Sequence, residues 1–255
     1  MIKNHSFWVI IPARIESSRL PGKILIDICG KPMIAHVIEK AKKSGAERVI
    51  VATDSNQIRK TSQFYGAESI ITSSTHTSGS DRIAEALMKI NAPDDQIIIN
   101  LQGDEPLMNP NTISNLANSK VKNKNEAVGT VVSPLKDVDE VYNPNCVKVV
   151  MNSRNNALYF SRAVIPYNSE IDFKKKEIKT NELNFYRHIG IYAFSVKSLK
   201  KFIKFGPCEL EKIEKLEQLR WLWMEEKIKL VIDDSCAGIG VDTLEDLEYV
   251  RKILE

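Results

Sequence analysis

Short, continuous apolar runs alternate with amphipathic helical stripes through the first hundred residues, and this alternation constrains the chain more than any other feature. The first run, Phe7-Trp8-Val9-Ile10-Ile11, is apolar at every position and stopped by Pro12. A strand buried on both faces of a parallel sheet reads this way, because neither face meets water. After a loop, Lys31-Pro32 opens a helix whose apolar positions Met33, Ile34, Val37, Ile38 and Ala41 form one stripe, with Pro32 suited to its first turn and Gly45 to its end. The chain returns to a strand at Val49 to Ala52. A helix near Gln57 to Tyr65, a short strand at Ser69 to Ile71, a helix from about Asp81 to Ile90 and a strand at Ile97 to Leu101 continue the pattern. Repeated β-α-β units with right-handed crossovers predict an α/β fold with a doubly wound, mostly parallel sheet.

The pattern changes after about Pro134. Strand-like stretches at Cys146 to Met151, Ala157 to Phe160 and Ile189 to Phe194 flank a polar segment, Tyr167 to Asn184, which reads as a loop or lid with a solvated Lys174-Lys175-Lys176 run. A long helix over Glu209 to Glu226 follows, then a strand at Ile228 to Ile232 and a helix at Leu244 to Leu254. The expected organisation is a nucleotide-binding core of residues 1–134 plus 207–255, interrupted by a smaller β-rich subdomain at 135–206.

Composition removes several function classes. With 36 basic against 33 acidic residues the formal charge is only +3, so no global field favours nucleic acid or a membrane surface. Any anion site must be local. Cys29, Cys146, Cys208 and Cys236 lie far apart with no Cys-x-x-Cys pair, which argues against a disulfide framework or structural zinc and for free thiols in a reducing cytoplasm. No apolar run approaches the ~18 residues of a membrane span. The expected location is cytoplasmic.

In open α/β sheets, ligands sit outside the carboxyl ends of the strands. The loop after the first strand therefore comes first: Pro12 to Lys23 carries Arg14, Arg19 and Lys23 with Ser17, Ser18 and Gly22. Guanidinium forks, an ammonium and backbone N–H groups in one span suit clustered phosphates. The spacing is neither of the common Gly-rich nucleotide fingerprints. By spacing alone an exposed basic surface loop remains the alternative. Asn100-Leu101-Gln102-Gly103-Asp104-Glu105-Pro106 places a carboxylate after another strand, where it is either a hard-cation ligand or part of a plain turn. Gly238 to Thr243 places Asp242 before the last helix, where it reads equally as a helix cap. Together the two carboxylates fit Mg²⁺ shared with substrate phosphates. The four histidines form no metal set; His188, at a strand start, reads as a satisfied core residue or a ligand contact.

Several strings, taken together, resemble the CMP-Kdo synthetases, also called 3-deoxy-manno-octulosonate cytidylyltransferases. They include Ile11-Pro12-Ala13-Arg14, Ser18-Arg19-Leu20-Pro21-Gly22-Lys23, Val51-Ala52-Thr53-Asp54, Ser78-Gly79-Ser80-Asp81-Arg82, Gln102-Gly103-Asp104-Glu105-Pro106, Tyr159-Phe160-Ser161-Arg162, Arg187-His188-Ile189-Gly190, Leu216-Glu217-Gln218-Leu219-Arg220 and Gly240-Val241-Asp242-Thr243. They occur in order and span nearly the whole chain. The resemblance implies transfer of a cytidylyl group from CTP to Kdo for lipopolysaccharide assembly, with Mg²⁺ as cofactor and a homodimer as the assembly, its interface in the β-rich middle third. It implies that Arg14, Lys23 and Asp104 serve catalysis, that Asp104 and Asp242 hold the metal, and that Ala13, Arg14, Lys23, Ser78, Gly79, Arg82 and Gln102 bind the nucleotide. Gln102, Arg162, His188, Glu217 and Gln218 would face the sugar acid, with Arg162 on its carboxylate. Ser80 departs from the usual threonine and Ile24 from the usual proline. A cytidylyltransferase for another acidic sugar, and a catalytically silent nucleotide-binding module, are the alternatives.

Overall fold

A computed structural model describes residues 6–17, 19–123, 125–167, 185–235 and 240–255. All of the lid candidate Tyr167 to Asn184 beyond Tyr167 itself, with its lysine run, lies outside the described residues, as do Ser18, Cys236 and 238–239 of the last motif.

Strand β1 (Phe7–Ala13) is buried along its whole length, as its unbroken apolar run requires. It lies between β4 (Arg48–Thr53) and β6 (Ile97–Asn100), parallel to both, and β5 (Glu68–Ile71) adds a parallel strand beyond β4. Pro12 does not end β1. Ile10 accepts a hydrogen bond from Leu101 N on the β6 side, so the missing Pro12 N–H, two residues on, faces the same side. There β6 has already stopped, and Pro12 and Ala13 stay in register with Ala52 and Thr53 of β4 at no loss of a ladder bond.

Alternate β1 residues feed two cores. Val9 and Ile11 pack with α1 (Met33–Lys43) and α4 (Pro110–Lys122) on one face. Trp8 and Ile10 pack on the other with α3 (Gly79–Lys89) and α6 (Val196–Phe205). Helices on both faces make the sheet doubly wound. Lys31-Pro32 precedes α1 rather than opening it, forming a two-residue strand β3 that pairs with β2 (Asp27–Ile28).

The strand order, introducing β7 (Val128–Pro134), β10 (Tyr186–Ser195) and β11 (Ile228–Ile232), is β11-β7-β10-β6-β1-β4-β5. β10 runs antiparallel between β6 and β7, while β11 pairs with β7 in parallel. β10 falls inside the 135–206 range expected to form a separate subdomain, so the main sheet continues across that boundary. Among the described residues, the small antiparallel extension of β8 (Lys148–Met151) and β9 (Ala157–Ser161) is added to it, through β10.

The helix expected over Glu209 to Glu226 is broken. It forms as α7 (Glu209–Glu214) and α8 (Leu219–Trp223), with Lys215 left-handed between them at φ 56°. Glu211 and Arg220, nine residues apart, would sit about 13.5 Å apart along one continuous helix. Here the chain folds back and they form a two-pronged ion pair at 2.6 and 2.8 Å. Arg220 also lies 4.0 Å over the Phe202 ring. Leu216, Leu219 and Trp221 are buried by the fold-back, whereas Ile213, part of the expected stripe, is exposed.

Candidate active site

The carboxyl ends of β1 and β6 open onto one cavity of about 320 Å³. Ala13 and Arg14 at the end of β1, Lys23 after the loop, Ser78, Gly79 and Arg82 of the α3 region, Gln102, Asp104 and Asp242 all line it. The structure thus joins the basic loop to both carboxylates, which sequence spacing alone left open. Close backbone approach is built in: a Cβ on Gly103 would lie 3.1 Å from the Pro12 carbonyl oxygen, and one on Gly79 3.3 Å from the Pro12 ring.

Three anchors shape this cavity. Ser78 caps α3, its hydroxyl accepting from Asp81 N at 3.1 Å, so the helix begins two residues before the expected Asp81 and turns its N-terminal end to the cavity. That end favours negative charge. Asp54, at the end of β4, accepts from Ile15 N at 3.1 Å and from the buried Arg82 guanidinium at 2.9 Å, tying the loop to α3. Arg82 further donates to Thr72 Oγ1 at 2.7 Å and to the Ser73 carbonyl at 3.2 Å, so it supports the cavity wall rather than standing free in it.

The third anchor is Lys23. Its ammonium donates to Asp104 Oδ2 at 2.5 Å, Asp242 Oδ1 at 2.8 Å and the Val241 carbonyl at 3.1 Å. Burial works against the charged lysine, but Asp104 and Asp242 outweigh it and raise its pKa above the ordinary value. Burial likewise opposes the Asp242 charge, yet Lys23, with Arg19 at 2.9 Å, holds that carboxyl below its usual range. Arg14 contrasts with both: it is exposed and, among the described residues, has no hydrogen-bond or ion-pair partner.

Glu105 follows Asp104 and was not singled out from sequence. Burial first, and the adjoining Asp104 charge second, push its pKa up to about 8. His76 lines the cavity too, held by the Glu85 carboxylate, which also accepts from Ser73 N at 2.8 Å. Asp54 was the more legible omission, since a carboxylate directly after an internal parallel strand sits where ligands bind.

Arg162, His188, Glu217 and Gln218 do not line this cavity. Arg162 is committed to backbone, with Nε donating to the Glu214 carbonyl at 2.8 Å and a terminal nitrogen to the Pro144 carbonyl at 2.9 Å. The other three gather in the turn between α7 and α8 and on β10. Tyr192 donates to Gln218 Oε1 at 3.2 Å, Gln218 Nε2 faces His188 Nδ1 at 3.4 Å, and His188 Nε2 lies 2.9 Å from Thr130 Oγ1. Thr130 spends its proton on the Ile191 carbonyl at 2.7 Å, so His188 is a neutral Nε2–H donor and its Nδ1 accepts. The neighbouring group is close by: Ser80 follows Gly79 and donates to Glu217, and Tyr192 stands opposite Asn100, which accepts from Gln102 at 3.1 Å. Burial raises the pKa of Glu217.

Burial lowers the pKa of His188 to about 3 from an unfolded 6.5. The unfolded chain therefore binds the extra proton first as pH falls. His188 is expected to leave stability unaffected above pH 6.5 and to withdraw up to about 1.4 kcal/mol per pH unit between there and pH 3. Urea unfolding of wild type and His188→Asn across pH 4 to 8 measures this as a difference in slope, and parallel curves would exclude it.

The described residues contain no helix long and apolar enough to cross a membrane, and Cys29, Cys146 and Cys208 are free thiols.

The cytidylyltransferase family matches residues 8–228. A Coxiella burnetii protein, 3-deoxy-manno-octulosonate cytidylyltransferase, is 49% identical over 96% of this chain and 98% of its own length. The protein of the same name from Histophilus somni is 47% identical, with 98% of both chains covered. Among solved structures, a CMP:2-keto-3-deoxy-manno-octonic acid synthetase complexed with CTP superposes with a TM-score of 0.86 at 38% identity, covering 98% of both chains. A Leptospira borgpetersenii cytidylyltransferase shares the fold, with a TM-score of 0.62 at 17% identity over 97% of this chain and 86% of its own.

Proposed function

The chain belongs to the 3-deoxy-manno-octulosonate cytidylyltransferase family, and from that premise we propose that it transfers the cytidylyl group of CTP to the anomeric hydroxyl of Kdo, releasing pyrophosphate. The observation that carries the reading is the meeting, in one cavity, of the Arg14 and Lys23 cations, the α3 N-terminus and the Asp104–Asp242 carboxylate pair. Such a site positions reactants and neutralises charge for in-line attack at the α-phosphorus. Arg14, exposed and without a partner among the described residues, takes the triphosphate. Lys23 turns to it from the carboxylates. Ala13, Ser78, Gly79 and Gln102 form the nucleotide wall, which Arg82 braces.

The carboxylate pair fits Mg²⁺. Among the described residues no group of three or more His, Cys, Asp or Glu side chains is placed to hold a metal alone, and Mg²⁺ takes one or two carboxylates completed by substrate phosphates. When bound, the ion supplies charge neutralisation on the phosphates and lowers the pKa of the attacking hydroxyl. The sugar acid is assigned to the adjoining group of Gln102, His188, Glu217 and Gln218. Arg162 keeps N–H groups beyond its two short carbonyl bonds with which to meet the carboxylate. The reading includes a cytoplasmic homodimer that activates Kdo for lipopolysaccharide assembly. Light scattering at a mass near 28.8 kDa, that of one chain, would refute the dimer.

Pyrophosphate release tests the reaction, measured with each of the four nucleoside triphosphates against Kdo and against sialic acid. Release is expected with CTP and Kdo. Release with CTP and sialic acid alone would move the activity to another acidic sugar, and none with any pair would leave only a nucleotide-binding module.

A further inference from the structure

We propose that Lys23 is an internal counter-ion that keeps the metal position closed until a triphosphate draws its ammonium away, so that the divalent ion enters with the nucleotide rather than ahead of it. The inference rests on the reading of Asp104 and Asp242 as the metal carboxylates. In the structure all three ammonium protons of Lys23 are used, on Asp104 Oδ2, Asp242 Oδ1 and the Val241 carbonyl. The first two acceptors belong to the two carboxylates assigned to the metal, and the other Asp242 oxygen is held by Arg19 at 2.9 Å. One cation already bridges the two carboxylates at 2.5 and 2.8 Å, so a divalent ion with ligands at about 2.0–2.1 Å competes with it for the same pair.

The same geometry accounts for the order of events. As seated, Lys23 has no proton left for a phosphate, whereas Arg14 in the same loop is exposed and, among the described residues, unpartnered. Arg14 therefore makes first contact with the triphosphate, whose charge then competes with the two carboxylates for the lysine. Lys23 follows Gly22, a left-handed turn at φ 66°, and its flexible four-carbon stem carries the ammonium between the two partners. Until it leaves, only the small fraction of molecules with Lys23 displaced is competent to take metal, and apparent metal affinity falls by that fraction. The resident ammonium also keeps the two carboxylates converged, where they would otherwise repel.

The test uses Mn²⁺ alone, titrated into the nucleotide-free full chain and followed by electron paramagnetic resonance of the free ion. Lys23→Met is expected to bind Mn²⁺ at least about tenfold more tightly than wild type, with the gain abolished by adding Asp104→Asn. Lys23→Gln, which keeps amide donors toward the carboxylates, is expected to behave likewise and serves if the apolar variant fails to fold. Lys23→Arg, still cationic, should stay near wild type. Equal Mn²⁺ affinity in wild type, Lys23→Met and Lys23→Gln overturns the counter-ion role. If Asp104→Asn still weakens Mn²⁺ binding to the CTP complex, that failure leaves the metal assignment standing. Mn²⁺ binding indifferent to Asp104→Asn and Asp242→Asn, with and without CTP, removes the metal assignment and the counter-ion role together.

Discussion

Asp104→Asn is expected to lower turnover by about 10²-fold or more while leaving the chain folded. The activity loss follows from charge: a carboxylate that holds the metal against the phosphates acts where charge builds in the transition state, and groups of that kind are worth on the order of 10²–10³ in rate. The mild effect on folding follows from the surroundings of Lys23. Without the Asp104 charge its ammonium keeps Asp242 at 2.8 Å and the Val241 carbonyl at 3.1 Å. The Asp104 side chain is 27% exposed and the half-buried Lys23 keeps a carboxylate and a carbonyl, so the loss is expected to stay at about 1 kcal/mol. That corresponds to a shift in melting temperature of a few degrees for a chain of this length. Steady-state pyrophosphate release at saturating CTP, Kdo and Mg²⁺, with a thermal melt of the same sample, measures both. Near-normal turnover in a folded variant would sink the metal role of Asp104.

Asp104 shows how far the sequence could be read. Its place at the carboxyl end of a strand was legible because strand ends are local: Ile97 to Leu101 is an apolar run and Gly103 marks a turn. The same holds for the loop after β1 and for the α/β alternation. Its pairing with Lys23, 81 residues away, and the pairing of Lys23 with Asp242, 219 residues away, depend on tertiary closure that no local pattern encodes. The position of β10 was hidden for a related reason. Its apolar residues announce a strand, but nothing in them states that it inserts antiparallel between β6 and β7.

Other omissions had signals. Asn109 accepts from Asn111 N ahead of Pro110 at the first position of α4, and Ser195 accepts from Ser198 N at the start of α6; both are ordinary helix-opening combinations. The break at Lys215 had none at the level of periodicity, since apolar residues continue at helical spacing through it. What bends the chain is the Glu211–Arg220 pair and the burial of Leu216, Leu219 and Trp221, and the bend is what brings Glu217 and Gln218 to Ser80 and His188.

Arg82→Met should be the most damaging single change for stability, at about 3–5 kcal/mol. The Arg82 and Asp54 side chains are 4% and 9% exposed, so removing the cation leaves a carboxylate inside the protein with no counter-charge. Thr72 Oγ1 and the Ser73 carbonyl lose their donor at the same time. At roughly 2–4 °C per kcal/mol for a chain of this size, the melting temperature should fall by on the order of 10 °C. Adding Asp54→Leu to Arg82→Met should recover much of that loss, because an apolar pair in place of a buried ion pair is often close to neutral. CTP binding should not recover with it. Asp54 is also the acceptor for Ile15 N at 3.1 Å, and without it the loop carrying Arg14 loses its tie to β4. Thermal melts and CTP titration calorimetry on the single and double variants separate the two roles. A single variant melting within 2 °C of wild type would contradict the stability role, and a double variant binding CTP normally would contradict the positioning of the loop through Asp54.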